Sequence, residues 1–217
     1  MNSNFSIFQR WTFDYLDGDE VDGMCAIIIF NTYRLLQQNG ISVKNLAWFD
    51  PDTIRRLTTI DETECNDELT SLHFKLFKVF SGSLITLINN DEVVQRCYLF
   101  QNEFDGKKVL EVRKKFFSLF DSLNNHIDLL MGCLLEAYRN YDLLTGNALF
   151  RSIVSMGTAG NDAMTSAYSF LCMQQNPEGY FGFYMKHHFD VSELRVVLGI
   201  SFDCIAAILT YNNSKNK

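Results

Sequence analysis

The chain has 217 residues, 47 % of them hydrophobic and 21 % charged, a balance that excludes wholesale disorder and suffices for one good core or two small ones. Nineteen basic residues against 26 acidic ones give a net charge of −7, the opposite of the basic footprint on which nucleic-acid binders depend, so no nucleic acid is expected as a partner. Phenylalanine occurs 19 times and proline only twice, which favours long helices around an aromatic core over the closely spaced turns of an all-β sandwich.

Ser3 or Asn4 caps a first helix, with Phe5, Phe8, Trp11 and Tyr15 at spacings of three and four, and Asp17-Gly18 ends it. A second helix spans Val21 to Gln38. It turns Met24, Ile27, Ile28, Tyr33 and Leu35 inward and stops at Asn39-Gly40. Ile41 to Phe49 reads as a turn plus a short helix. Asp50-Pro51 opens the next, through about Thr59, with proline in the first turn, where its missing N–H costs little. Asp61 to Asp67 is an acidic loop. Leu69, Leu72, Leu76, Phe80 and Leu84 form a helical stripe over Glu68 to Ile88, broken by Asn89-Asn90-Asp91. Glu92 to Asn102 and Lys107 to Phe120 are further helices, split at Asp105-Gly106.

Asp121 to Tyr141 follows, with Ile127, Leu130, Leu134 and Tyr138 in register. A turn and a helix occupy Asp142 to Arg151. A glycine-containing loop covers Met156 to Gly160, and a helix covers Asn161 to Gln174, stopped by Asn176-Pro177. The aromatic run Tyr180 to Tyr184 fits either a strand or a helix. Asp190 to Thr210 is the closing helix, in which Gly199 costs about 1 kcal/mol relative to alanine. The expected fold class is all-α: a single compact multi-helix bundle of about eight to ten helices with a Phe-rich core. One domain is expected over residues 1–211, followed by a polar tail over 212–217.

Six cysteines, at 25, 65, 97, 133, 172 and 204, include no Cys-x-x-Cys pair. The N-terminus lacks a basic start followed by an apolar run, so a reducing, cytoplasmic setting with free thiols is expected. No apolar run reaches the roughly 18 residues that span a bilayer, and no transmembrane segment is expected.

The acidic run Asp17, Asp19, Glu20 and Asp22 fails as a calcium loop. With Gly23 in the sixth position, Gly18 falls at the first and Ile29 at the twelfth, where carboxylates are needed. These acids instead suit the N-terminus of the helix that follows. His187 and His188 are adjacent, so on a helix their rings point about 100° apart, unlike metal-binding histidines one turn apart. His73 and His126 are the others. There is no Gly-x-Ser-x-Gly elbow and no phosphate loop. No catalytic residue, metal or cofactor is assigned.

Lys107 to Phe120 carries Lys107, Lys108, Arg113, Lys114 and Lys115 beside Val109, Val112, Phe116, Phe117 and Phe120. A basic amphipathic helix can lie on an acidic membrane or dock to an acidic partner, and more often is a core helix with a solvated basic face. The stretch with Asp61, Glu62 and Glu64 is its complement, within the chain or between two protomers.

Tyr141-Asp142-Leu143-Leu144-Thr145-Gly146, with Arg151 behind it, resembles the Asp-x-Leu-Thr-Gly opening of diguanylate cyclase domains. The likeness is confined to that phrase. The Gly-Gly-Asp/Glu-Glu-Phe signature is absent, and too few residues follow for a cyclase domain, so the resemblance implies no cyclase activity. The leading expectation is a non-enzymatic interaction or regulatory protein that contacts another protein or a second copy of itself. The alternatives are a helical sensor holding an apolar ligand or haem between helices, and an enzyme whose site is assembled from distant residues such as His73, His126 and His187.

Overall fold

Residues 2–18, 21–60, 68–85, 123–155, 157–182 and 188–215 are described by a computed structural model of the chain. They form α1 (Asn2–Leu16), α2 (Gly23–Gln38), a 3₁₀ turn (Lys44–Trp48), α3 (Pro51–Thr58), α4 (Glu68–Ile85), α5 (Leu123–Arg139), α6 (Leu143–Ser155), α7 (Asp162–Met173) and α8 (Val191–Lys215). Among the described residues the only β pairing is a single bridge between Gln175 and Phe181, so the fold is all-α, as expected. The chain divides into two compact units interleaved in sequence. The first holds Met1–Cys97 and Gln175–Phe202, the second Tyr98–Gln174 and Asp203–Lys217.

The first unit is built around α2. Its residues Met24 to Tyr33, together with Leu35 and Leu36, are buried, so this helix is covered on all sides rather than along one stripe. Each large apolar side chain so buried contributes roughly 1.5–3 kcal/mol. Phe30 meets Phe49 and Phe77 edge-on, with ring centroids 5.1 and 5.3 Å apart. These contacts fix the 3₁₀ turn and α4 against α2. The helix ends where the sequence predicts, with Gly40 at φ 73°, a conformation a glycine adopts without strain.

The described part of the aromatic run, 180–182, is no helix, and its one β pairing is the bridge from Phe181 to Gln175. Asn176 donates to the Tyr180 carbonyl at 2.7 Å, and Gln175 Nε2 donates to the Gly179 carbonyl at 2.9 Å, closing a tight turn. Gly179, at φ 127°, lies so close to α1 that an added methyl would stand 2.6 Å from the Ile7 carbonyl oxygen. Phe183 and Tyr184 lie outside the described residues.

In the second unit, α5 and α6 form a hairpin. Asp142 N–H donates to the Ala137 carbonyl at 2.9 Å, and Asp142 then accepts from Thr145 N–H at 3.1 Å, so one residue ends α5 and starts α6. Tyr141 occupies the left-handed position, φ 56°, that glycine usually fills. Stacked rings fill the core: Tyr138 on Phe170 at 5.0 Å and Tyr168 on Tyr211 at 4.3 Å.

Helix α8 runs through Asn212 to Lys215, residues read from sequence as a tail. Among the described residues it is the one helix long and apolar enough to cross a membrane, whereas no such run was expected; an 18-residue stretch of it has a mean hydropathy of 1.7, and 72 % of that stretch is buried inside the protein, as a core helix is.

Candidate binding cleft

A cleft of about 770 Å³ opens in the first unit where α1 ends, α2 and α8 begin, and the 3₁₀ turn passes α3. Leu16, Ala26, Leu57 and Val191 supply apolar wall, and Trp48 an aromatic one. Asp22, Thr53 and Arg56 make up its polar side. Local sequence places each of them. Asp22 is extended (φ −62°, ψ 129°) and accepts from Cys25 N–H at 2.8 Å, which starts α2. Asp50 does the same for α3, accepting from Thr53 N–H at 2.7 Å, with Pro51 locking the first turn. That turn points Thr53 and Leu57, one turn apart, toward the cleft.

Asp22 also holds α8. Arg195 donates to it twice, from Nε at 3.1 Å and from Nη2 at 2.8 Å, the planar two-point pairing that makes an arginine–carboxylate bond strong. The Tyr15 hydroxyl accepts from Asp22 N–H at 3.1 Å. Burial pushes the Asp22 carboxyl up, but Arg195 and the Cys25 N–H outweigh it and hold the group below the usual carboxylate range. Burial, and then the neighbouring Asp22 charge, push the Cys25 thiol far up. Burial raises the Tyr15 hydroxyl in the same way. Cys25 therefore stays a thiol, an inert packing group rather than a nucleophile.

The second unit carries a different polar cluster. Tyr138 donates to Asn147 Oδ1 at 3.0 Å, and Asn147 Nδ2 donates to Cys204 Sγ at 3.2 Å, all three groups being buried. Burial pushes the Tyr138 hydroxyl and the Cys204 thiol well above their ordinary values. Tyr168 rises to about 12, again through burial first and Cys172 second. These groups are neutral and structural.

The chain matches no protein-family model, no curated protein and no solved structure.

Lys107, Lys108, Arg113, Lys114, Lys115, Asp61, Glu62 and Glu64 lie outside the described residues, as do His187 and the side chain of His126. His188 is exposed. His73 is buried in the first unit, where the Asn31 amide donates to its carbonyl at 2.8 Å and approaches its Nδ1 at 3.3 Å, with Phe202 edge-on at 4.8 Å. Among the described residues no three histidine, cysteine or acidic side chains come together as a metal site. Sequence reasoning placed Asp22 at a helix start but missed Trp48, Arg56 and Arg195. The Asp50-Pro51 helix signal locates Arg56 on α3; nothing local links Asp22 to Arg195, which is 173 positions away.

Proposed function

We propose that this chain is a non-enzymatic binding protein that acts by holding a small molecule with both polar and apolar parts in the cleft of its first unit. The observation that carries the reading is the cleft itself. Its volume of about 770 Å³ is that of a small-molecule site, and its open wall mixes polar groups with apolar side chains. A regulatory role follows from how the wall is assembled. It joins α1, α2 and α3 to the start of α8, so an occupant ties distant parts of the chain together and stabilises the unit in proportion to its concentration.

Native mass spectrometry after incubation with a small-molecule extract of the host tests this. Val191 is 51 % exposed at the cleft, so Val191→Trp narrows it without disturbing the core. The wild type is expected to retain a small molecule that Val191→Trp does not. Equal retention by both, or none by either, overturns the reading.

A second reading, contact with another protein or a second copy, is favoured by the second unit. Met173 is 74 % exposed, and Tyr141, 52 % exposed, sits at a strained backbone position with its ring 6.2 Å from Phe170. Sedimentation of the wild type beside Tyr141→Ser and Met173→Ser tests it. Self-association lost in both variants supports this reading, and a monomer throughout removes the dimer.

A further inference from the structure

The two sides of the cleft are held by different kinds of contact. On one side Asp22, at the start of α2, takes two donors from Arg195 on α8, at 2.8 and 3.1 Å, and its N–H donates to the Tyr15 hydroxyl of α1 at 3.1 Å. On the other side stands α3, which supplies Thr53, Arg56 and Leu57. The polar groups of α3 bond to one another. Asp50 accepts from Thr53 N–H at 2.7 Å, Arg55 pairs with Asp52 at 2.8 Å, and Arg56 donates to Thr53 Oγ1 at 3.2 Å. The Thr58 and Thr59 hydroxyls donate back to the Arg55 and Arg56 carbonyls at 2.6 and 2.7 Å. Among the described residues no hydrogen bond or ion pair joins 50–60 to any part of the chain outside it. What seats α3 is apolar. Ile54 and Leu57 are buried, and Leu57 and Ile60 close over Gly23, where an added methyl would stand 2.5 Å from Ile60 Cδ1 and 3.8 Å from Leu57 Cδ2. The chain enters α3 from a fixed point, Phe49, whose ring lies 5.1 Å from that of Phe30 and 6.1 Å from that of Tyr33.

Apolar contact has no direction, whereas a two-point arginine–carboxylate pair fixes the geometry of both partners. A helix of eight residues is also too short to persist without packing, so α3 keeps its shape only while it is seated. From this contrast we infer that α3 is the moving wall of the cleft. It leaves its seat on Gly23, pivoting after Phe49, while the side held by Asp22 and Arg195 stays in place. The consequence for regulation rests on the binding reading above: an occupant that touches both sides favours the seated α3, and the cleft widens when α3 leaves.

Amide hydrogen exchange of the full-length protein, followed by mass spectrometry, tests this. The amides of 54–60 are expected to exchange at least about a hundredfold faster than those of 27–36 in α2. Asp22→Asn, which weakens the fixed side, should speed 27–36 about fivefold and leave 54–60 within about twofold, because α3 opens without the rest of the unit. A disulfide then fastens the seat. The methyl position of Gly23 lies 3.5 Å from Ile60 Cγ1, where a cysteine sulfur would stand, close enough for Gly23→Cys and Ile60→Cys to join. The oxidised double variant is expected to exchange at 54–60 at least about tenfold more slowly than its own reduced form. Equal exchange at 54–60 and 27–36 in the wild type, or equal acceleration of both by Asp22→Asn, overturns the moving wall. So does a disulfide that forms and leaves 54–60 unchanged. The binding reading fails separately. 2-Acetylnaphthalene, with a polar ketone on apolar rings, is expected to slow 54–60 in the wild type at least about threefold when it occupies the cleft. No slowing by it and no molecule retained in native mass spectrometry would remove the binding reading, while fast, disulfide-sensitive exchange at 54–60 would still uphold the moving wall.

Discussion

In the first unit a carboxylate, Asp22, meets a guanidinium, Arg195, at the starts of two helices on the wall of an open cleft. In the second unit Tyr138, Asn147 and Cys204 form a chain of neutral groups sealed in the core. The contrast follows from exposure. Asp22 and Arg195 keep 17 % and 25 % of their side-chain surface, enough contact with water to stay ionised. Asn147 keeps 1 %, and at that depth neutral partners avoid the desolvation cost of ions. Charge sits on the wall of the open cleft, and neutral polarity sits where the fold is sealed.

The largest expected effect tests the sealed core. A methyl group at Gly146 would overlap the Tyr138 ring, which is 3 % exposed and stacked on Phe170. Gly146→Ala is expected to cost about 3 kcal/mol in urea unfolding. Gly132→Ala, one helix earlier, with nothing within 4 Å of the new methyl, is expected to stabilise by about 0.5–1 kcal/mol. Similar values for the two would show that the Tyr138 ring is not held.

Next in size is the charged pair. Asp22→Ala removes the α2 cap and strands Arg195, an expected loss of about 2 kcal/mol, whereas Asp22→Asn keeps the cap and loses about 1 kcal/mol. The two units should also separate in pH. Because Asp22 is held below the ordinary carboxylate range, the stability it adds is fully present above that range and disappears as pH falls through the lowered value. The gap between wild type and Asp22→Asn should therefore close in acid. A gap independent of pH would mean that the pair contributes nothing through charge.

Much of the fold is legible because its signals are local. Asp50-Pro51, Asn39-Gly40 and Asn161 each mark a helix boundary through a bond made within a few residues. Phe5, Phe8 and Leu134 reveal inward faces by spacing alone. The cleft is less legible because it is made by approach rather than by pattern. Trp48 belongs to a short 3₁₀ turn with no periodic stripe, and Arg195 looks like any exposed helical arginine until α8 is seen against Asp22. Over 180–184 the sequence leaves strand and helix open; the described part is a turn closed by the bridge from Phe181 to Gln175, in which Gly179 takes a positive φ that propensity does not reveal.

Smaller effects sharpen the comparison. Tyr141→Gly relieves a left-handed residue in the second unit and is expected to stabilise it by about 0.5 kcal/mol in thermal unfolding. A loss instead would show that the contact with Phe170 outweighs the strain. Tyr168, raised to about 12 by burial, adds stability that is complete below the ordinary tyrosine value and is lost as pH climbs toward 12. Alkaline unfolding followed by circular dichroism should be less steep in Tyr168→Phe; an unchanged curve would assign the alkaline loss elsewhere.

The most direct test is a two-dimensional NMR titration of isotope-labelled protein with 2-acetylnaphthalene. Shifts confined to Leu16, Ala26, Leu57, Val191 and the Trp48 indole, absent in Val191→Trp, are the predicted result. Shifts clustered instead around Tyr141 and Met173, or scattered without saturation, would contradict the assignment of the cleft as the place where this protein binds.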